Sequence, residues 1–194
     1  MILTRIVDPT AEPVSISGVK RSLRISHYQN DEFLTDLIKE ARQFIGDRWG
    51  RIYLEETWTQ VMDADELPEF KLDILKYPLS SITSITYTDT NGDSQTFSSS
   101  LYTVDTTRYP GIVYPSYLQL WPFVRSYPSA MTVTFVAGYA DVDSIPMPML
   151  KAMHYYVGHY NENRLAPPAD QNDRLLSTLR SLLGMPLREI KDDD

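Results

Sequence analysis

The sequence has no cysteine, which removes disulfides, thiol catalysis and cysteine-based zinc sites at once and fits a reducing compartment. Glycine is sparse at eight residues, and none falls in a phosphate-cradling pattern; Gly138 stands alone as a turn residue. There are three histidines, His27, His154 and His159. The last two lie five apart on a helical stretch and point to different sides, whereas helical metal pairs usually sit at i, i+4. No metal and no cofactor are expected. No apolar run approaches 18 residues, so no membrane span is expected. The opening MILTRIVDPTAEP lacks the apolar core of a signal peptide. A basic patch is missing as well. The net charge is −8, and residues 51–140 carry five bases against ten acids, which argues against a grip on nucleic acid.

What is present is a chain of 194 residues, long enough to bury roughly 70% of its unfolded surface. Thirteen prolines and thirteen tyrosines suit short strands with proline-rich corners. Residues 1–14 read as an irregular lead with Pro9 and Pro13. Ser15 or Ser17 can cap a short helix, SGVKRSLRI. A second helix is expected from Asn30 or Asp31 to Trp49. Leu34, Leu37, Ile38, Ala41, Phe44, Ile45 and Trp49 form its apolar stripe, and Gly50 stops it.

From Tyr53 to Ala137 the period changes to two. ETWTQVM, FKLDILK, SITSITYT, SQTFS, LYTVD, GIVYP, YLQLW and AMTVTFVA read as strands. Asn91-Gly92 suits a tight primed hairpin turn. Pro78, Pro110, Pro115, Pro122 and Pro128 belong at corners or edges. After Gly138, Ser144 or Ile145 starts a third helix with Pro146 and Pro148 in its first turn and Leu150, Met153, Val157 and Tyr160 on its apolar side. Residues 165–172 read as a linker. Asp173 then caps RLLSTLRSLLG, with Leu175, Leu176, Leu179, Leu182 and Leu183 on one side.

The fold class expected is α+β: a helical body from the N- and C-terminal helices with an inserted antiparallel β-sandwich or barrel. The expected divisions are 1–51 for the first helices, 52–138 for the insertion, 139–184 for the closing helices and 185–194 for a tail.

Candidate chemistry is thin. Asp63, Asp65, Glu66 and Glu69 could supply the paired carboxylates of a glycoside hydrolase, but four acids around a Leu-Pro more often form a solvated loop. Asp141 and Asp143 lack the glycine-punctuated pattern of a calcium loop, and capping explains them. Tyr109, Tyr114, Tyr117, Trp121, Phe123 and Tyr127 could stack on sugars in a carbohydrate-binding β-sandwich. Packing of a proline-rich β unit is the plainer explanation. The last helix is short, and a helix of about ten residues is marginal unless its leucines are buried. Periodicity leaves open whether it folds onto its own chain or onto a neighbour.

Several stretches together resemble the head–tail connector (adaptor, or head-completion) family of tailed bacteriophages, in its longer form with a β insertion. The paired opening helices are similar at Lys20, Leu23, Arg24, Asp31, Glu32 and Trp49-Gly50. The hairpin resembles the family's at Pro78, Ser81, Ile82, Ile85, Tyr87 and Asp89. A strand ending in Ala137-Gly138-Tyr139 precedes a helix that leaves through Tyr160-Asn161-Glu162-Asn163-Arg164, with one residue between Tyr160 and Glu162 where many relatives have none. Leu175, Leu176 and Arg180 also look familial.

The resemblance implies a non-enzymatic virion protein at the head–tail junction of a phage, prophage or gene transfer particle, assembled in the bacterial cytoplasm. It implies a dodecameric ring below the portal that extends the DNA channel and meets a downstream head–tail joining or tail-terminator protein. DNA would pass through without sequence-specific binding. A tail bearing Leu187, Arg188, Glu189, Ile190 and Lys191 would reach the portal, and the leucines of the last helix would serve contact between subunits.

Overall fold

The computed structural model describes residues 1–67, 69–164 and 169–183. The chain forms two compact units: Met1–Ala11 with Phe44–Ser144, and Glu12–Gln43 with Ile145–Asp194.

The first unit is built on two antiparallel sheets. The larger runs in the order β1-β2-β8-β4-β5 and the smaller β3-β7-β6. Their strands are β1 (Ile2–Val7), β2 (Glu56–Met62), β3 (Leu72–Ile74), β4 (Leu79–Thr88), β5 (Ser94–Phe97), β6 (Tyr102–Asp105), β7 (Gly111–Pro115) and β8 (Met131–Ala137). Both sheets have open edges, and there is no closed barrel among the described residues.

Strand β8 is the centre of the larger sheet. Its alternation places Met131, Val133, Phe135 and Ala137 inward. Phe135 faces Trp58 on β2 and Ile82 on β4, and Val133 faces Gln60 and Ile85. Residues of both sheets join one apolar core that includes Trp58, Ile74, Ile85, Val113 and Phe135. One buried polar side chain ties the sheets together: the Gln60 amide nitrogen donates to the Asp73 carbonyl at 3.0 Å, and its oxygen accepts from the Leu75 amide at 3.3 Å. Since Gln60 is fully buried, these bonds offset what would otherwise be an uncompensated desolvation.

Three expectations for this unit are corrected. The lead expected to be irregular contains β1, paired with β2 from Ile2↔Val61 to Val7↔Thr57. YLQLW is no strand; Leu118 there has φ +60°, and the residues run as a loop between Pro115 and Pro122. The Asn91-Gly92 hairpin is also wider than a two-residue turn. Thr88 pairs with Ser94, and Asp89 Oδ1 accepts from the amides of Asn91 (2.9 Å) and Asp93 (3.0 Å).

Two glycines are required by geometry. Gly50, at φ +67°, and Gly138, at φ +123°, would place a Cβ 2.6 Å from the Leu75 carbonyl oxygen and 2.3 Å from the Leu54 carbonyl oxygen. Only glycine fits such an approach in the left-handed region.

The second unit is helical. Helix α1 (Ile16–Leu23) is capped by Ser15, whose Oγ accepts from the Gly18 amide at 3.1 Å. Helix α2 (Asp31–Trp49) contributes residues to both units, with Leu34, Leu37, Ile38 and Ala41 buried in this one. Helix α3 (Met147–Glu162) begins after Pro146. It buries Met149, Ala152, Met153, Tyr156 and Val157, so its inner line is rotated from the expected one and leaves Leu150 and Tyr160 half-buried. Helix α4 (Ala169–Leu182) starts four residues before the expected cap at Asp173 and packs against α3.

Polar contacts lock the helices. The Tyr156 hydroxyl donates to Glu40 at 2.8 Å, and the half-buried Glu12 receives a two-pronged contact from the buried Arg42 at 3.0 and 3.2 Å. Lys20 joins Asp31 across the α1–α2 turn at 2.7 Å.

Candidate functional site

The acidic cluster is tied into structure. Asp63, Asp65 and Glu66 surround a short 3-10 turn at Ala64–Glu66. Asp63 accepts from the Ser129 amide at 2.6 Å. Glu66 accepts from the Asp63 amide at 3.0 Å and from the amino terminus of Met1. The hydrogen bond from the amino terminus, then that from the Asp63 amide, holds the Glu66 carboxyl below the usual carboxylate range. A glycosidase acid needs the opposite shift. Asp63 and Asp65 line an open recess of 360 Å³ with Ser126, Tyr127 and Pro128, and no histidine or lysine is among its lining residues to activate the Ser126 hydroxyl.

The histidines are placed apart. His154 Nδ1 lies 2.9 Å from the Leu150 carbonyl oxygen on its own helix, and His159 stands edge-on to Tyr160. Among the described residues no three His, Asp or Glu side chains gather where a metal ion could bind.

The aromatic set divides. Tyr109 donates to the Trp49 carbonyl at 3.2 Å and packs edge-on against Tyr77. Trp121 is half-buried, its ring 5.8 Å from Phe97, so part of its surface is taken up by packing within the chain. Tyr117 and Phe123 are instead 91% and 85% exposed.

The leucines assigned to subunit contact also divide. Leu175, Leu179 and Leu183 are buried within this chain, and Leu176 and Leu182 remain half-buried. The tail residues Leu187, Arg188, Glu189, Ile190 and Lys191 lie outside the described residues.

The family-like motifs have structural roles. Besides Lys20 and Asp31, Arg24 takes a left-handed conformation (φ +56°) that ends α1. The Asn163 side chain caps the C-terminus of α3 by donating to the His159 carbonyl at 2.9 Å. The Arg164 guanidinium lies 4.8 Å from the Phe33 ring centre, a cation–π contact.

Sequence reasoning missed a buried cation. Lys76 is 5% exposed, donates to the Gly46 carbonyl at 2.9 Å and rests 4.2 Å from the Trp58 ring centre. Burial pushes its pKa down, while Asp47 opposes the shift. The signal was in the alternation, since Lys76 follows Leu72 and Ile74 at period two. It was also in the residues about to end α2, whose carbonyls seek cations.

A further exposed feature is the loop between β7 and β8, which displays Tyr117, Leu118, Leu120 and Phe123.

No family model matches this sequence, and no curated protein matches it. Solved structures do match. A chain from the neck of an empty GTA particle, computed with C6 symmetry, is 15% identical and superposes with a TM-score of 0.74 over 94% of this chain and 95% of that one. A chain from the virion of a native gene transfer agent (GTA) particle is 13% identical, with a TM-score of 0.76 over 94% and 95%. A chain from the neck of a native GTA particle, computed with C12 symmetry, is 16% identical, with a TM-score of 0.67 over 94% and 94%. Over nearly its whole length, this chain therefore has the fold of a chain found in the necks and virions of gene transfer agent particles.

Proposed function

We propose that this chain is a structural virion protein that forms the head–tail connector, or adaptor, ring below the portal. It extends the DNA channel and joins head to tail without catalysing a reaction. The observation that carries this reading is the fold, common over 94% of the chain with chains of gene transfer agent necks and virions. A ring of twelve is in keeping with the C6 and C12 symmetry used for those necks.

In this reading the helices within residues 1–51 and 139–184 supply the body and residues 52–138 the insertion, which strand β1 (Ile2–Val7) joins from the N-terminal side. Residues 185–194 form the tail, with Leu187 to Lys191 reaching the portal. Twelve such tails would bind with an avidity far above that of one. On α4, Leu176 and Leu182 keep the surface available for a neighbour, because Leu175, Leu179 and Leu183 are occupied within the chain. The net charge of −8 suits a channel through which DNA slides, since a basic lining would hold phosphates.

Native mass measurement and electron microscopy, with and without portal, test this. Rings on the portal are expected; a monomer that never joins a portal would refute the assignment. Removing residues 187–194 should leave the circular dichroism spectrum intact and abolish portal attachment. Attachment at the wild-type level would defeat the role given to the tail.

A further inference from the structure

The loop from Ser116 to Tyr127 is built to hold its shape while presenting apolar side chains outward. Its base is pinned by the Ser116 amide to the Leu101 carbonyl (2.9 Å) and the Arg125 amide to the Thr88 carbonyl (3.0 Å). A turn closes within it, from the Gln119 amide to the Ser116 carbonyl at 2.8 Å. Trp121 and Val124 pack against the core of the β unit. Between and beside these anchors, Tyr117 is 91% exposed, Leu118 84%, Leu120 77% and Phe123 85%.

Single exposed apolar residues are ordinary, but four within seven positions are not. Leu118 carries a second cost, because its backbone sits at φ +60°, where a leucine side chain is strained. At 84% exposure its side chain gains little burial in return for that strain. Outliers of this kind are held where a binding surface needs them.

We propose that this loop is an inter-subunit finger whose Tyr117, Leu118, Leu120 and Phe123 dock on a second copy of this chain. The inference rests on the ring reading above and adds a contact to it. Charge favours a copy as the occupant. Between Asp105 and Asp141 the chain has no acidic residue, so the rest holds all 26 acids against 16 of the 18 bases; Arg108 pairs with Asp105 at 2.9 Å, which leaves the exposed Arg125 as the cation of the finger itself. A finger free of acids therefore meets an acidic surface on any copy of its own chain, which steers encounter and orientation.

Size points the same way. Four such side chains present on the order of 500 Å² of apolar surface, below the roughly 800 Å² per partner of a stable isolated complex. A contact that small is weak between free monomers and suffices where neighbours are held in a ring. A rotational ring uses a different patch on each side of every subunit, so a finger need not be complementary to itself.

The chain has no cysteine, so Phe123→Cys provides a unique attachment point. The variant, labelled with a benzophenone maleimide, is assembled with portal into rings, irradiated and analysed by mass spectrometry. The expected result is a cross-link from the finger to a peptide of a second copy. In parallel, the triple variant Leu118→Ser, Leu120→Ser and Phe123→Ser should keep the wild-type melting temperature and fall at least tenfold in ring yield. Cross-links only to portal or another neck protein, or undiminished ring yield in the triple variant, would overturn the finger while leaving the connector reading intact. A wild-type chain that never enters rings would overturn both.

Discussion

Helix α4 and the loop at residues 116–127 are both short and both rich in large apolar side chains, yet they end in opposite environments. Leu175 and Leu179 are fully buried, whereas Leu118 and Leu120 are 84% and 77% exposed. In α4 the helical period gathers the leucines on one side, and α3, which buries Met149, Met153 and Val157, packs against it. In the loop, Pro122 denies the backbone an amide for a ladder, as Pro128 does just beyond it, and of its residues Trp121 and Val124 reach the core. Apolar content does not by itself secure burial. A second element must offer the complementary surface, and where none exists in the chain the surface stays available to another molecule.

The comparison can be broken most severely at α4. Leu179→Asp places a charge where the leucine is fully buried. It should cost about 4 kcal/mol or more and lower the melting temperature by on the order of 10 °C, read by thermal circular dichroism. An unchanged melt would mean that α4 is not packed as described.

Trp121→Ala removes the anchor against Phe97 and should cost about 2–3 kcal/mol for a half-buried ring. Limited proteolysis should then cut within residues 116–127 faster than in the wild type. An equal cutting rate would show that Trp121 does not hold the loop.

Tyr156→Phe keeps the ring and loses the bond to Glu40, at about 1 kcal/mol. Burial first, then that hydrogen bond, raises the Tyr156 phenol above its ordinary value of 10.0. Its contribution is thus complete below pH 10 and declines as pH rises beyond it. The variant should lose stability less steeply above pH 10. Burial raises Tyr53 in the same direction, so part of the alkaline loss should persist. Parallel denaturation profiles for wild type and variant would contradict this.

Leu120→Ser should change stability by less than about 0.5 kcal/mol, as for other exposed positions. A drop comparable to that of Trp121→Ala, measured by urea denaturation, would place Leu120 in the core after all.

Much of the fold was legible because it is local. Helix α2 follows from its 3.6-residue stripe, and β2 and β8 from alternation. Gly50 and Gly138 sit where the backbone must take positive φ. Strand β1 was hidden because it lies at a sheet edge, where only Leu3 and Arg5 are even partly covered. One of those two is charged, so no apolar alternation was visible. YLQLW shows the reverse: its pattern suits a strand, but no neighbouring strand pairs with it.

At the candidate site, sequence separated carboxylates from histidines but could not see their partners. Glu66 is engaged by Met1, and Asp63 by Ser129, across more than sixty residues of chain in each case. The exposure of Tyr117 and Phe123 was equally invisible, because it depends on what the rest of the fold fails to cover.

By itself, the sequence determined what depends on neighbours a few residues away: helical and extended periods, a serine cap at position 15 or 17, the glycine turns, the acidic balance and the exclusion of thiol chemistry. Only the tertiary structure decided which apolar segments are covered and which charges are enclosed. Lys76 and Arg42 are buried, while Leu118 and Phe123 are displayed. The physical reason is that burial is a relation between distant segments. A side chain leaves water only if another part of the chain arrives with a surface that fits it and a partner for each polar atom it carries.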